Sequence, residues 1–478
     1  MHPAMLLIPI LLPIIGGALT ALPVFRRQRI LYVYSGTVAF LTAACSWALI
    51  LFLNEDAYDL ISFTDRLVFR LRFDKLGRFF AGISSTLWPL AVIYAFSYMR
   101  KDARKQTFFV YYLISFGVAL GIAMAGNLFT LYCYYELLTL TTVPLVMHTK
   151  TREAVRAARS YFWVSIGGAA FAFISIVFLI VGGKETESPA VIRFFYLLGF
   201  FGFGVKSAVF PLHFWLPRAS VAPTPVTALL HAVAVVKAGI FSLIRLTYDG
   251  YGTAILQGSF AQYIALGFVL FTILYGSVMA VREPHFKRRL AYSSVSNLSY
   301  VLFGALLMTK DGLSAGLLHM AFHSNMKILS FFAAGAVLTM TGREYLEELN
   351  GLGKRMPVTF ACYLISALAL TGIPPFCGFV SKWSLLSAAI SCGTLPALIG
   401  AGILVFAAFL SAIYMLTPAR RAFFPDKNAD LTGIETVRET DALMIVPMLI
   451  LAAGTLATGL LAGPILNAVS GIAAGLLP

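Results

Sequence analysis

From one end to the other, the chain alternates long apolar blocks with short polar connections. The blocks run about 17–25 residues, the length an α-helix needs to cross the hydrocarbon of a bilayer. The first, MHPAMLLIPILLPIIGGALTALPVF, has an apolar core but no positive leading region and no small-residue cleavage site. It therefore reads as a retained helix rather than a signal peptide. Further blocks follow at 30–53, 76–99, 107–126, 128–148, 160–182, 194–216, 222–246, 259–281 and 289–309. The last four lie at 313–341, 357–392, 395–418 and 441–463, giving fourteen in all. Interruptions are expected in 194–216 at Pro211, in 313–341 at its glycines, and in 357–392 at Pro374 and Pro375. The predicted fold class is an all-α integral membrane protein of about 14 transmembrane helices, with helices 7 and 12 broken.

The connections test that count. Alternate loops, starting at 26–29, hold 23 of the 36 Lys and Arg, and the loops between them hold nine. The remaining four, Lys206, Lys237, Lys327 and Lys382, fall inside blocks. Positive loops stay in the cytoplasm, which places both termini on the outer side of a cytoplasmic membrane. An added or missing crossing would scramble this alternation. Composition agrees: 59% of the 478 residues are hydrophobic and 12% charged, with a mean hydropathy of +0.84, far outside the soluble range. The net charge of +15 then follows from topology and gives no reason to invoke nucleic acid. Cys45, Cys133, Cys362, Cys377 and Cys392 all sit in apolar surroundings without a CxxC pair, so packing explains them better than a metal or a disulfide. No iron–sulfur or haem signature occurs, and the chain is expected to bind no cofactor and carry no electrons.

A charge at bilayer depth costs at least about 2.5–3.5 kcal/mol, so it persists where it faces a hydrated interior and works. The stretch 204–245 holds Lys206, His213, His231 and Lys237 among Pro211, Pro217, Pro223 and Pro225. Proline removes a backbone donor and clashes with the preceding turn, so the helix should break just after Lys206. Freed carbonyls are tolerated in a membrane only where they line a cavity or are buried in protein. A lysine beside such a break, with a second lysine on the next helix, marks a place where ions or protons are handled. Glu136, about nine residues into its block, requires a cationic partner at that depth, and the lysines supply candidates.

The second half repeats the theme. Ser293, Ser294, Ser296, Asn297 and Ser299 make a helix too polar to face lipid; interhelical hydrogen bonding and a hydrated channel wall explain it equally well. His319, His323 and Lys327 recur every four residues and share one helix face. A zinc pair there would lack both an intervening glutamate and a third ligand, whereas a titratable stripe suits a proton path. Lys382 then follows a break at Gly372, Pro374, Pro375 and Gly378, mirroring Lys206 and Pro211 in reverse order. Matching broken helices five segments apart mark inverted-topology repeats. Three helices (1–100) would precede helices 4–8 (101–250) and 9–13 (251–425), with the last helix in 426–478. Gly117 and Gly121 read as close helix packing.

The run Lys206…Pro211-Leu-His-x-Trp-Leu-Pro217, then Ala222-Pro-x-Pro225-Val-x-Ala-Leu-Leu-His231-Ala…Lys237-Ala-Gly239, resembles the core of the proton-translocating, antiporter-like subunits of respiratory complex I. The same module occurs in Mrp-type sodium/proton antiporters and energy-converting membrane hydrogenases. The likeness covers nearly the whole chain and is strongest from about 100 to 420. It implies that Glu136 pairs with Lys206, and that His319, His323 and Lys327 lie on a broken eleventh helix. It makes Lys382 the twelfth-helix charge, which is lysine in some members and glutamate in others. The resemblance also implies a non-redox subunit of an NADH:quinone oxidoreductase-like or hydrogenase complex rather than an enzyme on its own. Its partners would be other membrane subunits within a lipid bilayer and its cargo protons, with sodium left open. The chain stops soon after its fourteenth block, without the long lateral helix of the largest complex I subunit, so a shorter internal subunit or an Mrp or hydrogenase counterpart is expected. A stand-alone solute carrier would instead show a substrate-sized site with a counter-charge, and a structural scaffold has no reason to keep so many ionisable residues at depth.

Overall fold

The computed structural model describes residues 3–53, 55 and 57–477. The chain begins with α1 (Leu7–Leu19) and α2 (Gln28–Phe52), then a hairpin of β1 (Ala57–Ser62) and β2 (Val68–Arg72). Next come α3 (Lys75–Tyr98), α4 (Lys105–Ala123), α5 (Leu128–Val146), α6 (Arg152–Ile180), the short α7 (Gly183–Thr186) and α8 (Pro189–Gly204). A single turn α9 (Trp215–Arg218) leads to α10 (Thr224–Ala232) and α11 (Val235–Arg245), which continues through the π-helical turn Leu246–Tyr251. After α12 (Thr253–Leu256), α13 (Phe260–Arg282), α14 (Phe286–Leu306) and α15 (Lys310–Thr341) follow. The chain closes with α16 (Pro357–Thr371), α17 (Cys377–Cys392), α18 (Leu395–Phe423), α19 (Ala442–Leu460) and α20 (Ala462–Leu476).

Helices dominate because backbone groups in lipid must satisfy one another within the segment. Among the described residues, eight helical tracts are long and apolar enough to cross a membrane: α2, α3, α4, α6, the tract Thr224–Tyr251, α13, α18 and α19. This is a multi-pass membrane protein. Large apolar side chains such as Trp163 on α6 and Phe409 on α18 are exposed, as a surface bounded by bilayer rather than water allows. Three helices of sufficient length, α5, α14 and α15, are too polar to meet the same standard, and these carry Glu136, the serine cluster and the His319–Lys327 stripe.

The chain divides into two compact units. The first comprises Met1–Val92, Met99–Ala208 and Val221–Ala265; the second Ile93–Tyr98, Val209–Ser220 and Leu266–Pro478. Stacked aromatics fill the first, Trp88 on Phe116 at 4.8 Å and Phe80 on Phe241 at 5.1 Å. Gly117 lets α4 approach α1, since a Cβ there would meet the Ile10 carbonyl. In the second unit Tyr94 stacks on Phe332 at 3.9 Å and donates to the Phe332 carbonyl at 2.7 Å.

Five details differ from the sequence expectation. The β1–β2 hairpin lies in what reads as a polar loop; its signal is the alternation in LVFRLR, which sets Leu71 inward as the buried member of β2. Helix α15 is continuous, because Gly312 and Gly316 serve a close crossing: a Cβ on Gly304 of α14 would meet the Gly312 carbonyl at 2.6 Å. The block 222–246 breaks instead, at Val233–Ala234, with neither proline nor glycine to announce it. Helix α8 ends at Gly204, before Lys206 rather than after it. Finally, α19 bends at Leu461 into a further helix, α20.

One ion pair ties the start of α3 to the end of α11. Arg245 donates to both Asp74 oxygens at 2.7 and 2.5 Å and to Asp249 at 2.7 Å, while Asp74 also accepts from Arg72 at 2.9 Å and Gly77 N at 2.9 Å. Burial alone would raise the Asp74 carboxyl, but these donors hold it down at about 2. A carboxylate depressed below its unfolded value of about 4 contributes stability that is complete above pH ~4 and lost as pH falls toward 2. Removing one partner of such a buried pair costs about 3–5 kcal/mol. Asp74→Ala should therefore lower the thermal midpoint of the solubilised protein markedly at pH 7, and the gap to wild type should narrow in melts run below pH 4.

Candidate functional site

In the first unit Glu136 and Lys206 come together just past the end of α8. Helix α5 is set by Asn127, whose side chain caps Thr130 N at 2.8 Å, and it carries Tyr135 and Glu136 at mid-helix. Lys206 lies in the unwound segment after α8 and is wholly buried. Its ammonium donates to the Tyr135 carbonyl and sits 3.4 Å from the centroid of the Tyr135 ring, an electrostatically favourable place for a cation. Glu136 is the next residue along, and the two charges act on each other through space. Its Oε1 is buried and accepts no hydrogen bond among the described residues. The lysine is thus docked on main chain beside the carboxylate.

His231 closes α10 and Lys237 opens α11, both wholly buried, with the Val233–Ala234 break between them. Helix α11 reaches the Lys206 segment through Gly239: a Cβ there would stand 2.6 Å from Ser207 N and 2.8 Å from the Lys206 carbonyl carbon. Ala208 next to this contact adopts a left-handed φ of 58°, which costs a non-glycine residue energy. The close approach, together with Pro211, accounts for α8 unwinding ahead of its lysine.

In the second unit α15 presents His319, His323 and Lys327, all wholly buried. Lys327 donates to Ser293 Oγ on α14. His319 Nδ1 pairs with Ser381 Oγ at 2.9 Å, and its ring centroid lies 5.4 Å from Tyr300 and 6.0 Å from His323. Ser381 adjoins Lys382, whose ammonium donates to the Leu370 carbonyl at 2.6 Å, the Thr371 carbonyl at 3.1 Å and Ser411 Oγ at 3.4 Å. Leu370 and Thr371 end α16, and a last-turn carbonyl has no partner inside its helix. The break at Pro374 and Pro375 exposes these acceptors, and a cation there meets the negative end of the helix dipole. Gly378 lets the two half-helices cross, because a Cβ would run into the Ala369 carbonyl.

Residues 125–411 match the transmembrane family described as NADH:quinone oxidoreductase/Mrp antiporter. The chain belongs to this family. Every candidate residue from Glu136 to Lys382 lies within the matched region. The NADH-quinone oxidoreductase subunit N of Desulforudis audaxviator (strain MP104C) is 31% identical over 396 residues, 77% of each chain. The Na(+)/H(+) antiporter subunit A1 of Staphylococcus aureus (strain JH9) is 28% identical over 84% of this chain but only 53% of its own, so this family member spans about half of that relative's length. A chain of the Mrp complex from Dietzia sp. DQ12-45-1b superposes with a TM-score of 0.88 at 23% identity, covering 99% of this chain and 97% of that one. A chain of respiratory complex I from Thermus thermophilus gives 0.82 at 21% identity, covering 98% of each. At these identities the superpositions show a shared Mrp and complex I antiporter-like fold.

The ionisable residues at depth are visible in the sequence, but the groups that solvate them are not. Tyr135, Tyr300, Ser381 and Ser411 contact the lysines or His319, yet each reads as an ordinary membrane-helix residue. The serine cluster divides: Ser293 holds Lys327, while Ser296 bonds Ser277 at 2.9 Å in ordinary interhelical packing. His213 is packed against Phe210 and Tyr275, at centroid distances of 5.5 and 4.7 Å. Because Gly239 sets the approach of α11, Gly239→Val should displace the Lys206 segment. Ion transport by the assembled complex should drop at least about tenfold, and transport assays normalised to subunit abundance would reveal it.

Proposed function

We propose that this chain is a proton-translocating, antiporter-like membrane subunit of a multisubunit, complex I-related ion pump. One observation carries the reading. Lys206, Lys327 and Lys382 each rest on neutral acceptors, carbonyl or hydroxyl oxygens, and form no direct carboxylate contact among the described residues. Lys327 and Lys382 can therefore lose a proton without stranding a buried counter-charge, and Lys206 can do so once Glu136 withdraws. Arg245 is bound by two carboxylates and cannot do so.

A redox or ion-gradient event in partner subunits displaces charge toward this chain. Withdrawal of Glu136 from Lys206 weakens the hold of Lys206 on its proton, by loss of the opposite charge. The proton passes to Lys237 and His231, then in sequence order through His319, His323 and Lys327 to Lys382, which exchanges with one side of the membrane. Energy arrives as charge displacement, so this subunit needs no cofactor and is no redox enzyme on its own. Grouping α8–α9, α10–α11 and α16–α17 as one crossing each supports fourteen crossings; the matching breaks support two inverted repeats (helices 4–8 and 9–13), and the loop charges support both termini outside. Residues 101–250 and 251–425 would be those repeats. A subunit of an Mrp-type Na+/H+ antiporter or of a membrane hydrogenase's ion-pumping module is the second reading, favoured by the antiporter subunit A1 relatives and the fold of the Mrp chain. Gradient-driven uptake into vesicles, measured with and without sodium, separates the two.

Glu136→Gln removes the charge and keeps the shape. Pumping should fall by a large factor while the complex still assembles, and near-normal pumping would sink the switch. Lys382 permits a sharper test. Lys382→Arg preserves a cation for the α16 carbonyls but cannot release a proton near neutral pH. If Lys382 relays protons, the arginine variant should be as inactive as Lys382→Ala at equal abundance, and recovery of transport by arginine would reduce Lys382 to a helix cap. Lys382→Glu should retain some transport, since a carboxyl group also exchanges protons; as a fixed carboxylate it would oppose those carbonyls.

A further inference from the structure

Where α3 and α5 begin and α6 and the α11 tract finish, the first unit holds an open-mouthed cavity of about 840 Å³. Helix ends meeting at one level place it at the polar boundary of a bilayer rather than at its centre. Arg66 in the hairpin turn, Arg72 on β2, Lys184 on α7 and Arg245 contribute positive charge, and Glu185 and Asp249 negative. Arg66 and Lys184 donate to carbonyls, Ile180 O at 3.4 Å and Gly250 O at 3.0 Å, which leaves their charge available; Glu185 borders Gly182 beside Arg66. Leu128 and Phe129, in the first turn of the 19-residue α5, line the same space at the positive end of that helix. Arg245 adds an Nε that is buried and finds no acceptor among the described residues.

The lip of the cavity is apolar. Leu179 and Ile180 line it; Phe173, Ile174 and Val177 are exposed on the preceding turns of α6, and Val181, just past its end, is exposed as well. A soluble anion has no use for such a face, whereas an acyl chain does. The lining also carries both signs of charge, which suits a zwitterion better than a simple anion.

We propose that this cavity binds the headgroup of a zwitterionic phospholipid of the phosphatidylethanolamine type, with its acyl chains along α6. The phosphodiester meets Arg66, Arg72, Lys184 and the α5 N-terminus, and the headgroup ammonium meets Glu185 and Asp249. None of these groups belongs to the proton relay, so the site stands independently of the transport reading.

The intact assembly, purified in mild detergent, would be assayed by mass spectrometry for retained phosphatidylethanolamine and phosphatidylglycerol. The Arg66→Gln/Lys184→Gln variant should retain at least about fivefold less phosphatidylethanolamine than wild type, about 1 kcal/mol in binding. Val181→Glu, which leaves every ion pair in place but sets a carboxylate on the acyl path, should show the same loss. Millimolar inorganic phosphate or glycerophosphoethanolamine should fail to displace the lipid. Unchanged retention in both variants overturns the proposal. Displacement by inorganic phosphate identifies a free-anion site instead, and preferential retention of phosphatidylglycerol rejects the zwitterion.

Discussion

An ammonium group sealed inside an apolar helical protein must find acceptors, and an intact helix offers almost none, because each carbonyl is already bonded four residues along. Lys382 obtains its acceptors from the last carbonyls of α16, exposed where the helix stops ahead of Pro374. Lys206 does so from an unwound segment that brings it to the Tyr135 carbonyl. Lys327, on the unbroken α15, takes a serine hydroxyl from α14 instead. The broken helices and the polar ones are two solutions of one solvation problem.

The kind of acceptor separates structure from transport. Arg245 is held by Asp74 and Asp249 at 2.5–2.7 Å, a set of fixed charges that joins two helix ends and resists change. The lysines rest on dipoles. A dipole stabilises the charged form enough to keep it in place, and it leaves little penalty behind when the proton departs, whereas a bare carboxylate in the same place would cost several kcal/mol. Glu136, close to Lys206 but not its hydrogen-bond partner, can bias that balance without locking it.

Small residues set where these groups meet. Gly239 brings α11 against the Lys206 backbone, Gly378 crosses the halves of the second break, and Gly304 with Gly312 and Gly316 seats the histidine helix on the serine helix. Each contact leaves no room for a Cβ, so the spacing of ionisable groups within each unit is defined by backbone approach rather than by side-chain reach. The fold shared with the Mrp and complex I chains at little more than a fifth sequence identity fits that origin.

The sequence by itself determined the membrane class, the ionisable residues at depth, both proline-marked breaks and the family, because these follow from the cost of burying charge and from proline's missing donor. It missed the interruption at 233–234, expected one in 313–341 that does not occur, and put the end of α8 after Lys206 instead of at Gly204. Glycine in α15 answers to a neighbour's backbone, and the break in 222–246 has no local residue that demands it, so neither was readable one segment at a time. The acceptors of Lys206, Lys327 and Lys382 come from residues 71, 34 and 12 positions away at the nearest hydrogen-bonded atom. Only packing chooses among the many carbonyls and hydroxyls that could serve, since a hydrogen bond depends on position in space and the sequence records only position along the chain.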